Sequence, residues 1–266
     1  MEISKNPEGK IQIQRLLADC LALADLAAEA ARGYFRSDLG VSFKADASPV
    51  TQADQAIECL VREWIAQRYP DHGILGEEYG ANFTGKTHCW VIDPIDGTRS
   101  FISGFPLFGF LLAHLTDGEP QIGVISLPML NEVYAGVKGQ GATCNGTPIS
   151  VSQTRKLDQA TLYINEGDKI HATQPAVLSR LLCAGQTRRF CYDCYPHALL
   201  AAGHVDVVVD YDLKPYDIMA LRPVVTEAGG ILTDWAGQVP GLSYEGPILS
   251  AATHDLHKEV LALLHD

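Results

Sequence analysis

The chain has 266 residues, 47% of them hydrophobic, enough for one large α/β domain or two fused halves with a sizeable core. Its formal net charge of −12 argues against nucleic acid as a partner, because phosphate backbones are bound by basic surface. An acidic protein still binds a phosphate where metal ions invert the local field.

Met1 to Lys10 is polar and gives no sign of a secretory leader. Ile11 to Arg36 carries Leu16, Leu17, Cys20, Leu21, Ala24, Ala27 and Ala28 at helical spacing, so one face is apolar. Phe43 to Val50 is polar and irregular, and Ser48-Pro49 marks a loop. A second amphipathic helix follows, with Ile57, Leu60, Val61, Trp64 and Ile65 on one side, and Thr51 with Asp54 reads as its capping pair. Tyr69-Pro70-Asp71-His72-Gly73 ends it, and Ile74-Leu75 is a short strand leading to Glu77 and Glu78. Either glutamate could serve as a carboxylate ligand if this strand lies beside the next one.

Cys89 to Ile92 reads as a buried strand that delivers Asp93 to its carboxyl end, with a tight Pro/Gly turn expected at once. Asp93 and Asp96 then stand three residues apart. They repel one another and resist desolvation, so at least one must hold a proton or meet a cation. Asp93, Asp96 and the Ile95 carbonyl offer oxygen alone, which favours Mg²⁺ over zinc. The plainer reading is that both aspartates cap a turn. A haloacid-dehalogenase reading of Ile95-Asp96-Gly97-Thr98 fails because Pro94 stands where that signature needs a nucleophilic aspartate.

Arg99 to Ser103 reads as a short helix whose N–H groups at Gly97 and Thr98 cradle an anion. Leu107–Leu115, Gln121–Ser126 and Glu132–Val137 read as successive strands, and Asn145-Gly146 as a hairpin turn. The longest apolar segment, Leu107–Leu115, is too short to span a bilayer. The pattern then alternates strand and helix: Thr161–Ile164, Gln174–Cys183, Arg188–Cys191, Pro196–Ala202, Val205–Val209, Asp217–Ala228, Gly230–Thr233, Ile248–Ala251 and His254–Leu264. Two halves are expected, residues 1–150 and 151–266. Asp217 falls in the first turn of its helix, as a dipole-stabilised carboxylate or as a metal ligand. Seven scattered cysteines suit reduced thiols in a cytoplasmic enzyme. Cys191-x-x-Cys194 lacks the second pair a zinc site needs, and His254-x-x-His257 is assigned no role.

Asp93-Pro94-Ile95-Asp96-Gly97-Thr98, with Gly76-Glu77-Glu78 upstream and Pro215-Tyr216-Asp217-Ile218-Met219-Ala220 downstream, resembles the inositol-monophosphatase-like family of metal-dependent phosphatases. Val50-Thr51-Gln52-Ala53-Asp54 and Glu227-Ala228-Gly229-Gly230 match its other segments. Within the family, Leu213-Lys214-Pro215-Tyr216-Asp217 and Asp193-Cys194-Tyr195 look most like the histidinol-phosphatase group, although Cys191-Tyr192 is bulkier than the small glycines expected beside the substrate.

The resemblance implies a layered αβαβα fold with two sheets, a cytoplasmic homodimer, a small phosphomonoester as substrate, and two or three Mg²⁺ per subunit with inhibition by lithium. It assigns Glu77, Asp93 and the Ile95 carbonyl to one ion and Asp93, Asp96 and Asp217 to the second. By the same resemblance Glu77 would also reach a third through water, Asp54 and Thr98 would orient the attacking water, and Gly97 and Thr98 would hold the phosphate. Asp193 and Asp210 would meet the ammonium of histidinol phosphate; Lys214 would contact substrate or pair with a carboxylate. The rival readings are an inositol or related sugar or nucleotide phosphatase, and a silent binding protein on the same fold.

Overall fold

The computed structural model describes residues 7–38, 40–43 and 49–265. Residues 1–6 of the polar N-terminal stretch, and Ser48 of the expected loop, lie outside the described residues. Helix α1 (Pro7–Tyr34) buries Ile13, Leu16, Cys20, Leu23, Ala24 and Ala27 on the face the spacing indicates. The expected loop up to Val50 is instead a two-stranded pairing, β1 (Ser42–Phe43) with β2 (Pro49–Val50). Strands of two residues are too short for periodicity to register. Helix α2 (Gln52–Arg68) buries Ile57, Val61 and Ile65.

A sheet of eight strands follows: β3 (Gly73–Gly76), β4 (Gly80–Asn82), β5 (His88–Asp96), β6 (Gly109–Thr116), β7 (Glu119–Leu127), β8 (Glu132–Val137), β9 (Gly141–Cys144) and β10 (Thr147–Ile149). Helix α3 (Thr98–Ile102) lies between β5 and β6, and the spatial order is β10-β9-β8-β7-β6-β5-β3-β4. The remaining elements are β11 (Thr161–Asn165), α4 (Gly167–Thr173), α5 (Pro175–Leu181), β12 (Thr187–Cys191), α6 (Tyr195–Ala201), β13 (Val207–Leu213), α7 (Pro215–Glu227), β14 (Ile231–Asp234), β15 (Gly246–Ala251) and α8 (His254–His265). Their strands form a second sheet in the order β12-β11-β13-β15-β14. Helix α4 was not expected, since Gly167 opens it and its seven residues carry only one buried large apolar side chain, Ile170.

Three hydrophobic clusters define the layers. The first seats α1 and α2 on one face of the eight-stranded sheet through Cys20, Ile57, Trp90, Ile92 and Leu112. The second fills the space between the sheets with α6 and α7, and the third joins the five-stranded sheet to α5 and α8. The result is the αβαβα layering.

Helix α7 approaches the larger sheet unusually closely. A side chain at Gly123 of β7 would collide with the Ala220 carbonyl, and one at Gly136 of β8 with the Pro223 carbonyl. These two glycines let the helix backbone rest on the sheet, and its N-terminal turn is thereby aimed at the end of β5. Among the described residues no helix is long and apolar enough to cross a membrane, and all seven cysteines are free.

Candidate active site

Asp93 and Asp96 do not flank a tight turn, as the sequence suggested; β5 continues through both. In an unbroken strand, residues three apart point to opposite faces. Here Asp93 pairs with Leu111 and Asp96 with Gly109, so three steps on β5 answer two on β6. This bulge takes up the extra residue and accommodates Pro94, which has no N–H for the ladder. Carboxylate oxygens of Asp93, Asp96 and Asp217 consequently lie within 4.8 Å of one another. Asp93 accepts the Ile95 N–H at 3.0 Å, and Asp96 accepts the Cys194 N–H at 2.5 Å.

Asp217 is the third residue of α7 and accepts the Lys214 backbone N–H at 2.6 Å. The capping role and the convergence on Asp93 therefore coexist. Glu77 follows β3, which runs parallel to β5 with Gly76 opposite Ile92. Its N–H donates to the Ile92 carbonyl at 3.2 Å, and of Glu77 and Glu78 it is the charge of Glu77 that acts on Asp93 and Asp217. The turn carrying it is gripped from below by Glu58, a wholly buried carboxylate the sequence reading passed over. Glu58 accepts the Glu78 N–H at 2.7 Å and the Tyr79 N–H at 3.2 Å, and pairs with Arg62 at 2.7 Å.

Burial first, then the neighbouring negative charges, pushes the Asp93 and Asp96 carboxyls well above their usual range. Burial likewise raises Asp217 to about 7, with Glu77 adding to it. Such a set cannot all ionise without a counter-charge. The donors are all oxygens held within one ion's reach, and this chemistry fits Mg²⁺.

Asp54 completes the capping box of α2 with Thr51 and also reaches Thr98. It accepts the Thr51 N–H at 2.9 Å, the Thr51 hydroxyl at 2.5 Å and the Thr98 hydroxyl at 3.2 Å. Burial lifts its carboxyl above the ordinary value despite these bonds. The Thr98 hydroxyl also lies 3.3 Å from the Ile95 carbonyl. Gly97 caps α3 at φ 94°, and a Cβ there would meet the Asp193 carboxylate at 2.5 Å. Glycine is required on both counts.

Asp193 thus sits directly over the expected phosphate cradle. It accepts the Ser100 hydroxyl at 2.6 Å, and burial raises its carboxyl to about 7, with Glu166 and Asp210 adding to the shift. With Asp96, Asp210 and Asp217 it lines a cavity of about 130 Å³. Asp210 is buried and already held by the His197 Nε2 (3.1 Å), the Asn165 amide (2.7 Å) and the Tyr211 N–H (2.8 Å). Lys214 is not brought to this cavity; its ammonium pairs with Glu245 at 2.7 Å, the second of the two roles open to it.

Glu166, Lys169 and His197 line the cavity but were missed, as were Ser100 and Asn165, which hold Asp193. Lys169 bridges Glu166 at 2.8 Å and Asp212 at 3.0 Å. A signal was available for part of this group. Strands β12, β11 and β13 are mutually parallel, and Asn165, Glu166, Asp193 and Asp210 lie at or beyond the middle of their carboxyl-terminal ends, where open α/β sheets bind ligands.

A sequence model of the inositol monophosphatase family matches residues 13–266. The chain is 38% identical to the chloroplastic bifunctional phosphatase IMPL2 of Arabidopsis thaliana over 95% of this chain and 76% of that one. It is also 38% identical to the histidinol-phosphatase of Chlorobaculum parvum, covering 92% and 94% of the two chains. Among solved structures, an inositol monophosphatase from Zymomonas mobilis superposes with a TM-score of 0.83 at 36% identity, covering 92% of this chain and 95% of the other.

Proposed function

From the premise that this chain belongs to the inositol monophosphatase family and is a phosphatase of that family, we propose that it hydrolyses L-histidinol phosphate to L-histidinol and phosphate with Mg²⁺ as cofactor. In this reading Glu77, Asp93 and the Ile95 carbonyl would hold one ion, and Asp93, Asp96 and Asp217 the second. When bound, Mg²⁺ neutralises the carboxylates, polarises the phosphoryl oxygens and makes water easier to deprotonate.

The chain's own groups do the remainder. The Thr98 hydroxyl donates to Asp54, so its lone pairs are left to accept a hydrogen bond from the attacking water. Asp54, raised by burial, is the better proton acceptor for that relay. The N–H groups of Gly97 and Thr98 receive phosphate oxygens at the start of α3. Water attacks phosphorus as the ester P–O bond breaks, and the departing histidinol oxygen takes up the proton that Asp54 accepted, with no covalent intermediate on the protein.

The observation that carries the substrate is Asp193. Its carboxylate lies against Gly97, so any phosphate in the cradle has a buried anion beside it. Histidinol phosphate bears its ammonium on the carbon next to the ester methylene, close enough to the phosphate to offset that charge. Inositol phosphate has no cation. The second reading, an inositol or related sugar or nucleotide phosphatase, draws support from the 36% identity to the Zymomonas mobilis enzyme.

Phosphate release from histidinol phosphate, inositol phosphate, fructose bisphosphate and a 3′-phosphonucleotide, each with and without Mg²⁺, tests both. Histidinol phosphate should be turned over with the highest kcat/KM, and only with the metal. Preference for inositol phosphate would overturn the substrate, and no release from any ester would overturn the mechanism.

A further inference from the structure

A second group of metal-binding side chains lies at the opposite end of β5 from Asp93. His72 stands in the connection from α2 to β3, His88 opens β5, and His114 belongs to β6. Trp90 pairs with His114 and His88 with Thr116, so His88 and His114 are diagonal neighbours on one face. His72 precedes Gly73, which pairs with Cys89, and so joins them from the adjacent strand.

One ligating nitrogen from each ring lies within 4.8 Å of the other two. The ring centroids are 4.7 Å apart for His72 and His88, 5.5 Å for His88 and His114, and 5.6 Å for His72 and His114. Three imidazoles held tetrahedrally at ordinary metal–nitrogen distances have centroids about 5 Å apart. His114 is wholly buried, and neither of its ring nitrogens has a hydrogen-bond partner. A buried polar group left in that state is costly, and a metal ion is one partner that removes the cost.

We infer that His72, His88 and His114 form a second cation site, for a divalent transition metal such as Zn²⁺ or Ni²⁺, distinct from the carboxylate cluster. Imidazole nitrogen suits these ions and not Mg²⁺. Burial holds His72 down at about 4 and His114 at about 3, so both rings are neutral and free of a competing proton near pH 7. His88 Nδ1 lies 3.2 Å from the Thr116 hydroxyl, which can fix the ring while Nε2 ligates. His72 and His88 are only partly buried, leaving a way in for the ion and for a water as fourth ligand.

Five residue steps of strand lead from His88 to Asp93, about 16 Å at the usual rise, so the ion fastens the sheet and takes no part in the reaction.

Trp90 supplies the readout. Its indole N–H donates to His72 Nδ1 at 3.0 Å. Ligation through Nδ1 displaces that bond, and ligation through Nε2 moves the ring proton to Nδ1 and turns the indole away. Either path alters Trp90 emission.

The experiment titrates Ni²⁺ into the full chain kept in a large excess of Mg²⁺, following tryptophan emission and bound nickel by equilibrium dialysis. One Ni²⁺ per chain should bind saturably and quench the emission. His114→Leu and His88→Ala should each weaken binding at least tenfold while retaining Mg²⁺-dependent phosphate release, which reports a folded protein. Should His114→Leu not fold, the partly exposed His88→Ala decides alone. Absence of saturable binding in the wild type, or affinity unchanged by His88→Ala, overturns the site.

Discussion

His114 allows a stability prediction whose size follows from its surroundings. Burial lowers its pKa to about 3, with the nearby His72 and His88 adding to the effect. An unfolded chain leaves the imidazole near 6.5, so between these values the unfolded state binds a proton that the folded state refuses. Stability must then fall as pH falls through that window. From pH 7 to pH 5 the loss assigned to this one group is about 2 kcal/mol, since each unit of separation is worth ~1.36 kcal/mol.

The carboxyls of Asp93, Asp96 and Asp217 act in the opposite direction, because their raised values let the folded state take protons first. A comparison with His114→Leu removes their contribution. Urea unfolding of both proteins at pH 7 and pH 5, in a chelator so that no metal is bound, gives the four stabilities required. The wild type should lose about 2 kcal/mol more than the variant over this interval. Equal losses in the two proteins would refute the reasoning, whatever constant penalty the substitution itself carries.

Asp93→Asn should lower kcat/KM by more than about a hundredfold, because it removes the charge shared by both proposed ions; phosphate release across a Mg²⁺ titration reads it. Glu58→Gln should raise the half-activating Mg²⁺ concentration by roughly tenfold, the effect usual for groups that orient a ligand, while kcat at saturating Mg²⁺ stays near the wild type. A fall in kcat without a shift in the Mg²⁺ curve would count against its hold on the Glu77 turn. Gly97→Ala should cost about 1–2 kcal/mol in folding stability from its left-handed backbone alone. Its Cβ also displaces Asp193, so KM for histidinol phosphate should rise, and an unchanged KM would separate Asp193 from substrate binding.

The local signatures were open to reading because their physics is local. Thr51 and Asp54 announced the start of α2, and the apolar run before Asp93 announced the strand that carries it. What sequence could not supply was geometry created by distant partners. The bulge at Asp93–Asp96 exists only against β6, and it turns a suspected turn into a strand. Lys214 could be read toward substrate until Glu245, on a separate segment, proved to hold it. Glu58 carries no local mark of its role, yet it is buried under the Glu77 turn. The three histidines come from separate segments with no motif, and only strand register brings them to one face. Helix α4 escaped notice for another reason: Gly167 opens it and Ile170 is its one large buried apolar side chain.

The bare backbone at Gly123 and Gly136 bears on how this protein could be recombined with its relatives. Asp217 belongs by chain order to the later half, yet the helix that carries it is bedded on strands of the earlier one. A chimaera joined between residues 150 and 160 would inherit its seat from one parent and its helix from the other. Only parents sharing the paired glycines beneath Ala220 and Pro223 should yield a hybrid whose carboxylates still meet, so compatibility between halves is written in two residues that touch no substrate at all.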